Sequence, residues 1–535
     1  MSSSSFDTLS VKLLRRGHHS SSVHRISTRT MIVLIFTALV ALILCYRYLY
    51  LGELGRLTWY DDGVYMGAAT QLSHGIMPYR DFVFLHPPGV ILLLTPFAFI
   101  GRLVGTAVAN EAARLFILLV ALADVALFAR VVRMWPLLPA TVGLAFFALH
   151  PDVVYADTTI YLEPLLIAAC LAGTTLVFDG DRFADQRWRW SAAGVAFGIA
   201  SAIKLWGVFP ILAIVVVAVV VTHRRAEAAR LVIAGAGAFV VICAPFLALA
   251  PANFVRYVFI DQASRSSNAS PTFVSRIANM LFLPPSEAAH SIVAVAVVVL
   301  VLGIVVWSLV RTRRLPLTEL EWYSLASVGL LVGAFGVSGS YYSHYGAFSA
   351  AFLGFVACGT VARLMWRGES TKSGLRQRGT VIVTAGLVIL VILSAGDKFQ
   401  APSGTSASSR SLSRVAAVVP PGRCIVTDDD SILLLSDRFT ADYPNCPRVV
   451  DPSGTELVLA DGNTNALGTT AAVQRAWFSW LERADYMVLT EPPSSHPDWG
   501  RPLRRYAYKE FSLVYRAGTV LIYQRVHREI PAGPS

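Results

Sequence analysis

Long apolar runs separated by short arginine-bearing loops constrain the fold of this chain more than any other feature. The first run, residues 31–51, has the length of ~20 residues that a helix needs to cross a bilayer. Of the 535 residues, 55% are hydrophobic and 15% are charged, whereas a soluble domain has about 25% charged residues. Because lipid offers no hydrogen-bond partner to the backbone, each run predicts a helix. The sequence therefore predicts a polytopic α-helical membrane protein.

The charges between the runs predict how the chain is oriented. Arginines and lysines gather in alternate loops, which the positive-inside rule assigns to the cytoplasm, and the loops near 151–161 and 338–344 have none. The run 89–100 would rise only about 18 Å as a helix, against a hydrocarbon core of ~30 Å, so we expect it to be interfacial or re-entrant. Counting it as a span would reverse every later loop. About 11 spans follow, at 31–51, 109–131, 135–150, 162–178, 191–206, 207–221, 231–250, 290–310, 322–337, 345–365 and 380–396.

Four segments follow from this pattern. The serine-rich, basic tail at 1–30 is predicted to be disordered and cytoplasmic. Residues 31–396 form the membrane domain, with interfacial helices in the first outer loop, and 397–420 form a Ser, Gly and Pro-rich linker. Residues 421–535 form a small extracytoplasmic α/β domain. We expect a multi-pass protein of the plasma (inner) membrane with its N-terminus in the cytoplasm.

The C-terminal domain combines helix and strand patterns. A helix is predicted at 470–483, and strands at 486–489, 511–515 and 520–524, the last two as a hairpin. Cys424 and Cys446 are expected to form a disulfide if the domain lies outside the cytoplasm, with two free thiols as the alternative. The acidic run Asp428–Asp430 suits either a metal ion or a cap on the next helix, and we favour the cap.

Acidic residues follow the first span at the outer edge of the bilayer. Asp61 and Asp62 precede apolar residues at helical spacing, which predicts a short amphipathic helix at 62–74 lying on the membrane surface. One aspartate suffices to cap that helix, so the other is left for chemistry. Asp81 and His86 follow in the turns Pro-Tyr-Arg-Asp-Phe and His-Pro-Pro-Gly.

Further polar residues are predicted on the same side of the membrane. Lys204 lies near the outer end of a span, where a lysine costs a few kcal/mol and indicates either a function or an ion pair with Glu163, at the start of another span. The outer loop 251–289 and the outer turn 338–345 contribute the rest of this group, which consists of Gln262, Arg265, His344 and Tyr345.

In these motifs the chain resembles polyprenyl-phosphate-dependent glycosyltransferases of the GT-C superfamily, such as protein O-mannosyltransferases and lipid A aminoarabinose transferases, of the family 39 type. Their first outer loop has an Asp-Glu or Asp-Asp pair opening a short helix, then a Pro-Tyr-x-Asp-like turn and a His-Pro-Pro or Lys-Pro element. The corresponding residues here are 61–62, 78–81 and 86–88. The resemblance covers roughly residues 30–396.

The resemblance implies transfer of a sugar from a polyprenyl-phosphate donor to an acceptor hydroxyl on the extracytoplasmic face, with inversion, in the synthesis of a cell-envelope glycan, glycolipid or glycoprotein. Asp61 matches the family's first acidic position and is expected to be the general base. Asp62 and Asp81 are expected to orient the acceptor or to hold a divalent ion. Cations are needed for the departing phosphate, and the candidates are Lys204, Arg265, His344 and His86.

The cofactor and the class of function stay open at this point. Aminoarabinose transferases have a lysine where His86 stands, and Leu85 replaces the acid before it, so a metal bound to that acid is not expected, although a divalent ion elsewhere remains open. The expected partners are the bilayer, the lipid-linked donor and a glycan, lipid or protein acceptor. The net charge of +11 falls mostly in cytoplasmic loops, so nucleic acid is not among them. A lipid or sugar transporter, or flippase, and an envelope scaffold are the alternatives; transporters typically show repeated halves, which this sequence lacks.

Overall fold

The computed structural model describes residues 27–526 except 58, 268–269, 284–290, 367–408, 440–442 and 444. Within these residues the chain is a multi-pass helical membrane protein followed by a small α/β domain, as the sequence predicts. The tail at 1–26, the expected span at 380–396 and the first part of the expected linker lie outside the described residues.

The membrane part consists of helices joined by short loops and one two-stranded hairpin. The hairpin is β1 (Phe178–Asp179) with β2 (Arg182–Phe183). The helices are α1 (Thr28–Cys45), α2 (Tyr60–Ser73), α3 (Gly89–Val104), α4 (Thr106–Val131), α5 (Leu137–Ala148), α6 (Pro151–Ala156), α7 (Leu162–Val177), α8 (Arg187–Ile203), α9 (Val208–Val216), α10 (Arg225–Leu249), α11 (Pro251–Val255), α12 (Asp261–Ser264), α13 (Phe273–Met280), α14 (Ser291–Arg311), α15 (Glu319–Val337) and α16 (Tyr345–Met365).

Five helices of the described chain are long and apolar enough to cross a membrane by themselves, at Thr28–Tyr50, Thr106–Met134, Arg225–Leu249, Glu319–Val337 and Tyr345–Met365. Shorter apolar helices lie between them, at Gly89–Val104, Leu137–Ala148, Leu162–Val177, Leu205–Val221 and Val295–Arg311. Helix α3 has 16 residues and therefore rises about 24 Å, less than the ~30 Å of a hydrocarbon core.

Helices α8 and α10 pack with their backbones in close approach. A Cβ atom added to Gly194 would overlap the carbonyl of Leu231, and one added to Gly198 would overlap the carbonyl of Gly235. Small residues at such contacts let membrane helices gain van der Waals contact that larger side chains would prevent. The pairing fixes the end of α8, and Lys204 follows directly after that end.

Helix α2 is buried along nearly its whole length, so it lacks the exposed polar face that an amphipathic helix would have. It begins at Tyr60 and ends at Ser73, close to the predicted 62–74. The C-terminal domain covers it, because a Cβ on Gly63 would overlap the backbone of Ser431 and one on Gly67 would lie 3.0 Å from Val450. The covering residues follow hundreds of positions later, so the local pattern could not reveal them.

The C-terminal domain is a four-stranded mixed sheet with helices around it. Strand β3 pairs in parallel with β4, and β4–β6 and β6–β5 are antiparallel, in the order β3-β4-β6-β5. A disulfide joins Cys424 to Cys446. The strands are β3 (Ile425–Thr427), β4 (Tyr486–Leu489), β5 (Phe511–Ala517) and β6 (Val520–Arg525), and the helices are α17 (Ser409–Val418), α18 (Asp430–Leu435), α19 (Pro452–Leu459), α20 (Ala471–Arg483) and α21 (Arg501–Glu510).

Two sequence expectations for this domain meet different outcomes. The predicted linker 397–420 contains helix α17, and Leu412 and Val415 of this helix pack into the domain core together with Val419, which follows it. These residues are spaced at three and four positions, a helical signal that the surrounding serines obscure. The acidic run behaves as favoured from the sequence, because Asp429 caps α18 by accepting a hydrogen bond from the Ser431 backbone at 2.9 Å.

Candidate active site

The aspartate pair opens α2 without capping it. The N-cap residue is Trp59, in extended conformation and with no side-chain cap. Both carboxylates are therefore released from the role that sequence reasoning gave to one of them. They occupy different environments, which separates their functions.

Asp62 is an anchor between distant segments. Its carboxylate accepts hydrogen bonds from Arg114 Nε at 2.8 Å and from the Ile160 backbone at 2.6 Å, and it also accepts from the Thr159 hydroxyl. Arg114 is fully buried in α4 and donates in addition to carbonyls of the first loop, among them Glu53 at 2.7 Å. A carboxylate bonded in this way holds α2 against α4 and against the turn that precedes α7, so we leave Asp62 out of the proposed chemistry.

Asp61 has no hydrogen-bond partner among the residues that the structure describes. Burial raises its pKa to about 7, and the negative charges of Glu163 and Asp451 act in the same direction, while Lys204 and Arg265 oppose them. A carboxyl group with this pKa exchanges a proton at neutral pH. Asp61 is thus chemically available where Asp62 is not.

Glu163 and Lys204 form a buried ion pair beside Asp61. Lys204 Nζ donates to Glu163 Oε1 at 2.6 Å, and the ammonium lies 3.6 Å from the Trp206 ring centroid and 4.6 Å from that of Tyr345. The ion pair named as an alternative from the sequence is therefore present. Glu163 Oε2 is buried without a hydrogen-bond partner among the described residues, and the pair remains open to a further ligand.

His344 also lies close to the Glu163 carboxylate. Its Nε2 lies 3.9 Å from Glu163 Oε1, and its ring stacks on Tyr161 with centroids 4.6 Å apart. Burial lowers the pKa of His344 to about 4, although Glu163 opposes the shift. The imidazole is therefore neutral at pH 7, and the expectation of a cation at this position is replaced by that of a hydrogen-bonding group.

Arg265 is held by one tyrosine. Its Nη2 donates to the Tyr342 hydroxyl at 2.6 Å, and the guanidinium carbon lies 5.0 Å from the same ring. The Nε group of Arg265 is buried and has no acceptor among the described residues. A buried donor without a partner is unusual in a folded protein, and this one suits an anionic ligand.

His86 and Gln262 join the first outer loop to the Arg265 loop. Gln262 Nε2 donates to the Leu85 carbonyl at 2.8 Å, and the His86 carbonyl accepts from the Tyr79 hydroxyl at 2.6 Å. The His86 ring lies against Tyr65, with centroids 5.7 Å apart. Burial lowers the pKa of His86 well below its usual value, so this ring is also neutral.

Asp81 belongs to a turn and is separate from the group of side chains around Asp61. Its carboxylate accepts from the Met77 backbone at 2.7 Å and pairs with Arg80 at 2.8 Å. The hydrogen bonds of Arg80 are the first cause of the lowered pKa of Asp81. Within the described chain it makes no hydrogen bond or ion pair with Asp61, Lys204 or His344, so the structure does not join it to them.

Sequence reasoning missed Asp451 and Tyr60. The Tyr60 hydroxyl donates to Asp451 Oδ1 at 2.6 Å, across 391 positions of sequence. Asp451-Pro452 is a recognisable start of a helix, but nothing in the sequence indicates that this helix start lies beside the first outer loop. Within the described residues no group of three or more His, Cys, Asp or Glu side chains is arranged to hold a metal ion.

The chain matches a family of glycosyltransferases in sequence and several glycosyltransferases in fold. Residues 84–338 match the model of glycosyltransferase family 87. ArnT from Cupriavidus metallidurans, in a crystal structure with bound undecaprenyl phosphate, is 14% identical, with a TM-score of 0.58 over 95% of this chain and 100% of that one. No curated protein matches the chain.

Two further structures show the same architecture. The oligosaccharyltransferase of Archaeoglobus fulgidus, in complex with Zn and sulfate, is 12% identical, with a TM-score of 0.51 over 93% of this chain and 74% of that one. The arabinofuranosyltransferase AftD from Mycobacteria is 13% identical, with a TM-score of 0.51 over 93% of this chain and 40% of that one. The resemblance to the GT-C superfamily expected from the sequence is confirmed, and the chain has the GT-C fold.

Proposed function

We propose that this chain, a multi-pass membrane protein with the GT-C fold, transfers a sugar from a polyprenyl-phosphate donor to an acceptor hydroxyl on the extracytoplasmic face. The observation that carries the proposal is Asp61, a half-buried carboxyl group with a pKa near neutrality and no hydrogen-bond partner among the described residues, beside the cations Lys204 and Arg265. A base next to an anion site is what this reaction requires.

Asp61 is the general base in this mechanism. Its ionised carboxylate accepts the proton of the acceptor hydroxyl as the acceptor oxygen forms a bond to the anomeric carbon of the sugar. The bond from that carbon to the phosphate oxygen breaks, and the electron pair leaves with the phosphate. A direct displacement of this kind inverts the anomeric configuration.

Arg265 and Lys204 bind the departing phosphate. The unpartnered Nε of Arg265 supplies a donor, and Lys204, held by Glu163, supplies a positive charge in a buried site where electrostatic stabilisation is strong. His344 and His86 take part as neutral hydrogen-bonding groups. Glu163 balances the charge of Lys204, and removal of one partner from such a buried ion pair is strongly destabilising.

The donor's apolar chain needs a lipid-facing cavity. Helices α5 and α13–α16 line an apolar cavity of about 430 Å³, with residues such as Ile277, Val332 and Leu353 on its walls. This cavity supports the isoprenoid assignment, as does the undecaprenyl phosphate bound to the ArnT structure. We assign the isoprenoid chain to it.

The outer face is proposed from two independent features. Arginines and lysines concentrate in the loops that the proposed topology places in the cytoplasm. The Cys424–Cys446 disulfide belongs to the domain that covers α2, and disulfides persist in oxidising compartments outside the cytoplasm. The same topology places the acceptor in the cell envelope, as a glycan, lipid or protein.

The test uses purified protein and a polyprenyl phospho-sugar donor. Asp61→Asn removes the base without changing the shape of the side chain, and we expect transfer to fall by about 10² to 10⁴. Asp81→Asn is the matched control, because Asp81 lies in the same loop but belongs to the Arg80 turn, and it should keep nearly full activity. Equal losses in both variants, or none in Asp61→Asn, would contradict the role of Asp61.

A further inference from the structure

The segment 451–464 of the C-terminal domain is fixed at its start to the helix that bears Asp61. The Tyr60 hydroxyl donates to Asp451 Oδ1 at 2.6 Å and accepts from the Ser453 backbone at 3.0 Å. The same Asp451 oxygen caps α19 by accepting from the Gly454 backbone at 2.8 Å. Tyr60 precedes Asp61 directly, so this contact acts on the position of the base.

The end of the same segment is fixed to the loop that bears Arg265. The Ser266 backbone donates to the Gly462 carbonyl at 3.0 Å, and the Thr464 backbone and hydroxyl donate to the Ser266 carbonyl at 3.2 and 2.6 Å. Gly462 has a φ of +84°, and a Cβ there would lie 2.7 Å from Ser264 Oγ. Only glycine fits this contact without strain.

Helix α19 connects the two contacts rigidly. Its 8 residues span about 12 Å, and Leu457 and Val458 pack on Leu85, next to His86. Arg256 donates to the Val458 carbonyl at 2.9 Å and adds a further contact with the outer loop. The segment therefore contacts α2, the first outer loop at Leu85 and the outer loop 251–289.

We propose that the segment 451–464 holds the Asp61 helix and the Arg265 loop at a fixed separation, with Tyr60 and Asp451 as positioning residues of the active site. The inference rests on the proposed function for its catalytic consequence, although the structural link itself does not. The C-terminal domain therefore positions residues of the active site in addition to covering α2.

Asp451 also contributes charge to the surroundings of Asp61. Asp451 is only 8% exposed. Its negative charge raises the pKa of Asp61, and this effect is smaller than those of burial and of Glu163. The other titratable groups that act on Asp61 or approach it belong to α2, α6–α8, the Arg265 loop and α16, and they are Tyr65, Tyr155, Tyr161, Glu163, Lys204, Arg265, His344 and Tyr345.

Hydrogen–deuterium exchange on the full chain tests the link without any reaction. Tyr60→Phe removes one hydroxyl, and Gly462→Val breaks the contact at the other end. We expect about tenfold faster exchange at the start of α2 in the first variant and around Ser266 in the second, with α7 unchanged in both. Arg505→Ala, on the exposed face of α21, is the control and should leave both regions as in the wild type. Unchanged exchange at both places would overturn the proposal.

Kinetics then separate the two contacts. Tyr60→Phe should lower kcat about tenfold, because the base is displaced, while Gly462→Val should mainly raise KM for the donor, because Arg265 is displaced. Asp451→Asn keeps the cap and the acceptor for Tyr60 but removes the charge, so the acidic limb of the pH profile should move to lower pH. The positioning role would be overturned if the acidic limb stays in place in Asp451→Asn and if kcat and KM are unchanged in Tyr60→Phe and Gly462→Val.

The two proposals fail in different ways. If the exchange results are as expected but the wild type transfers no sugar from a polyprenyl phospho-sugar, the proposed function is wrong and the link stands. If the wild type is active, but exchange in Tyr60→Phe and Gly462→Val and the kinetic parameters of all three variants equal those of the wild type, the link is wrong and the proposed function stands.

Discussion

At the scale of single residues, two neighbouring carboxylates in the first outer loop show that the hydrogen-bond partners of a side chain determine its role. Asp62 is bonded to Arg114, Thr159 and Ile160, so donors of the protein itself occupy its oxygens. Asp61 has none of these bonds and a pKa near 7. Adjacent identical residues thus separate into an anchor and a proposed base because of what surrounds them.

The pKa of Asp61 predicts a pH dependence. A base is active in its ionised form, so kcat/KM should rise with pH and level off above about 7. One pH unit below that value only about a tenth of the carboxylates are ionised, whereas an ordinary aspartate with a pKa of ~3.9 would give a flat profile. Initial rates between pH 5 and 8.5, at fixed ionic strength, measure this. A flat profile down to pH 5 would exclude Asp61 as the base.

The anchoring role of Asp62 predicts a loss of stability. Asp62→Asn leaves the buried guanidinium of Arg114 without its counter-charge, and breaking such a pair destabilises by about 3–5 kcal/mol. We expect a clearly lower melting temperature in detergent, with Asp81→Asn unchanged as the control because Asp81 is in an exposed pair. A normal melting temperature together with lost activity would instead place Asp62 in the chemistry.

The sequence reveals much of the candidate site at this scale because charge is rare in an apolar chain. Asp61, Glu163, Lys204, Arg265 and His344 are conspicuous for that reason, and the structure brings them together. Neutrality of the histidines could not be foreseen, since it results from burial by residues far away in the sequence.

At the scale of elements, hydropathy locates apolar helices but not what covers them. The predicted strands at 486–489 and 520–524 and the helix at 470–483 agree with β4, β6 and α20 to within one residue at each end. Helix α2 was located correctly, yet its burial depends on Ser431 and Val450. Contacts of this kind are set by tertiary packing and leave no local periodicity.

Close packing of α8 on α10 predicts the effect of a larger side chain. Gly198→Leu would push against the carbonyl of Gly235 and separate the helices. We expect a lower melting temperature and a higher KM for the donor, because Lys204 follows α8. Gly237→Leu is the matched control on α10, since a Cβ there meets nothing within 4 Å. If both variants melt alike, the close contact does not contribute to stability.

At the scale of the whole molecule, the C-terminal domain and the first outer loop meet on one side of the membrane part. The contacts of Tyr60 with Asp451 and of Gly63 with Ser431 require it. Orientation of one therefore determines that of the other, and both are proposed to face away from the cytoplasm.

This orientation predicts the reactivity of the disulfide. In a Cys45→Ala background, which removes the exposed free cysteine, a membrane-impermeant maleimide should label intact cells only after reduction of Cys424–Cys446. Labelling before reduction would show free thiols. Protection until the cells are permeabilised would place the domain in the cytoplasm and reverse the proposed topology.

The hydrogen bond between Tyr60 and Asp451 joins parts of the chain made at very different times. The helix with Asp61 leaves the ribosome long before Asp451 has been translated, because Asp451 lies 391 positions beyond Tyr60. A nascent or prematurely terminated chain that ends before residue 451 therefore lacks this contact. If Asp61 is the base, as proposed, its helix is fully positioned only after the C-terminal domain has been made, so chains truncated before residue 451 should transfer sugar more slowly than the full-length protein.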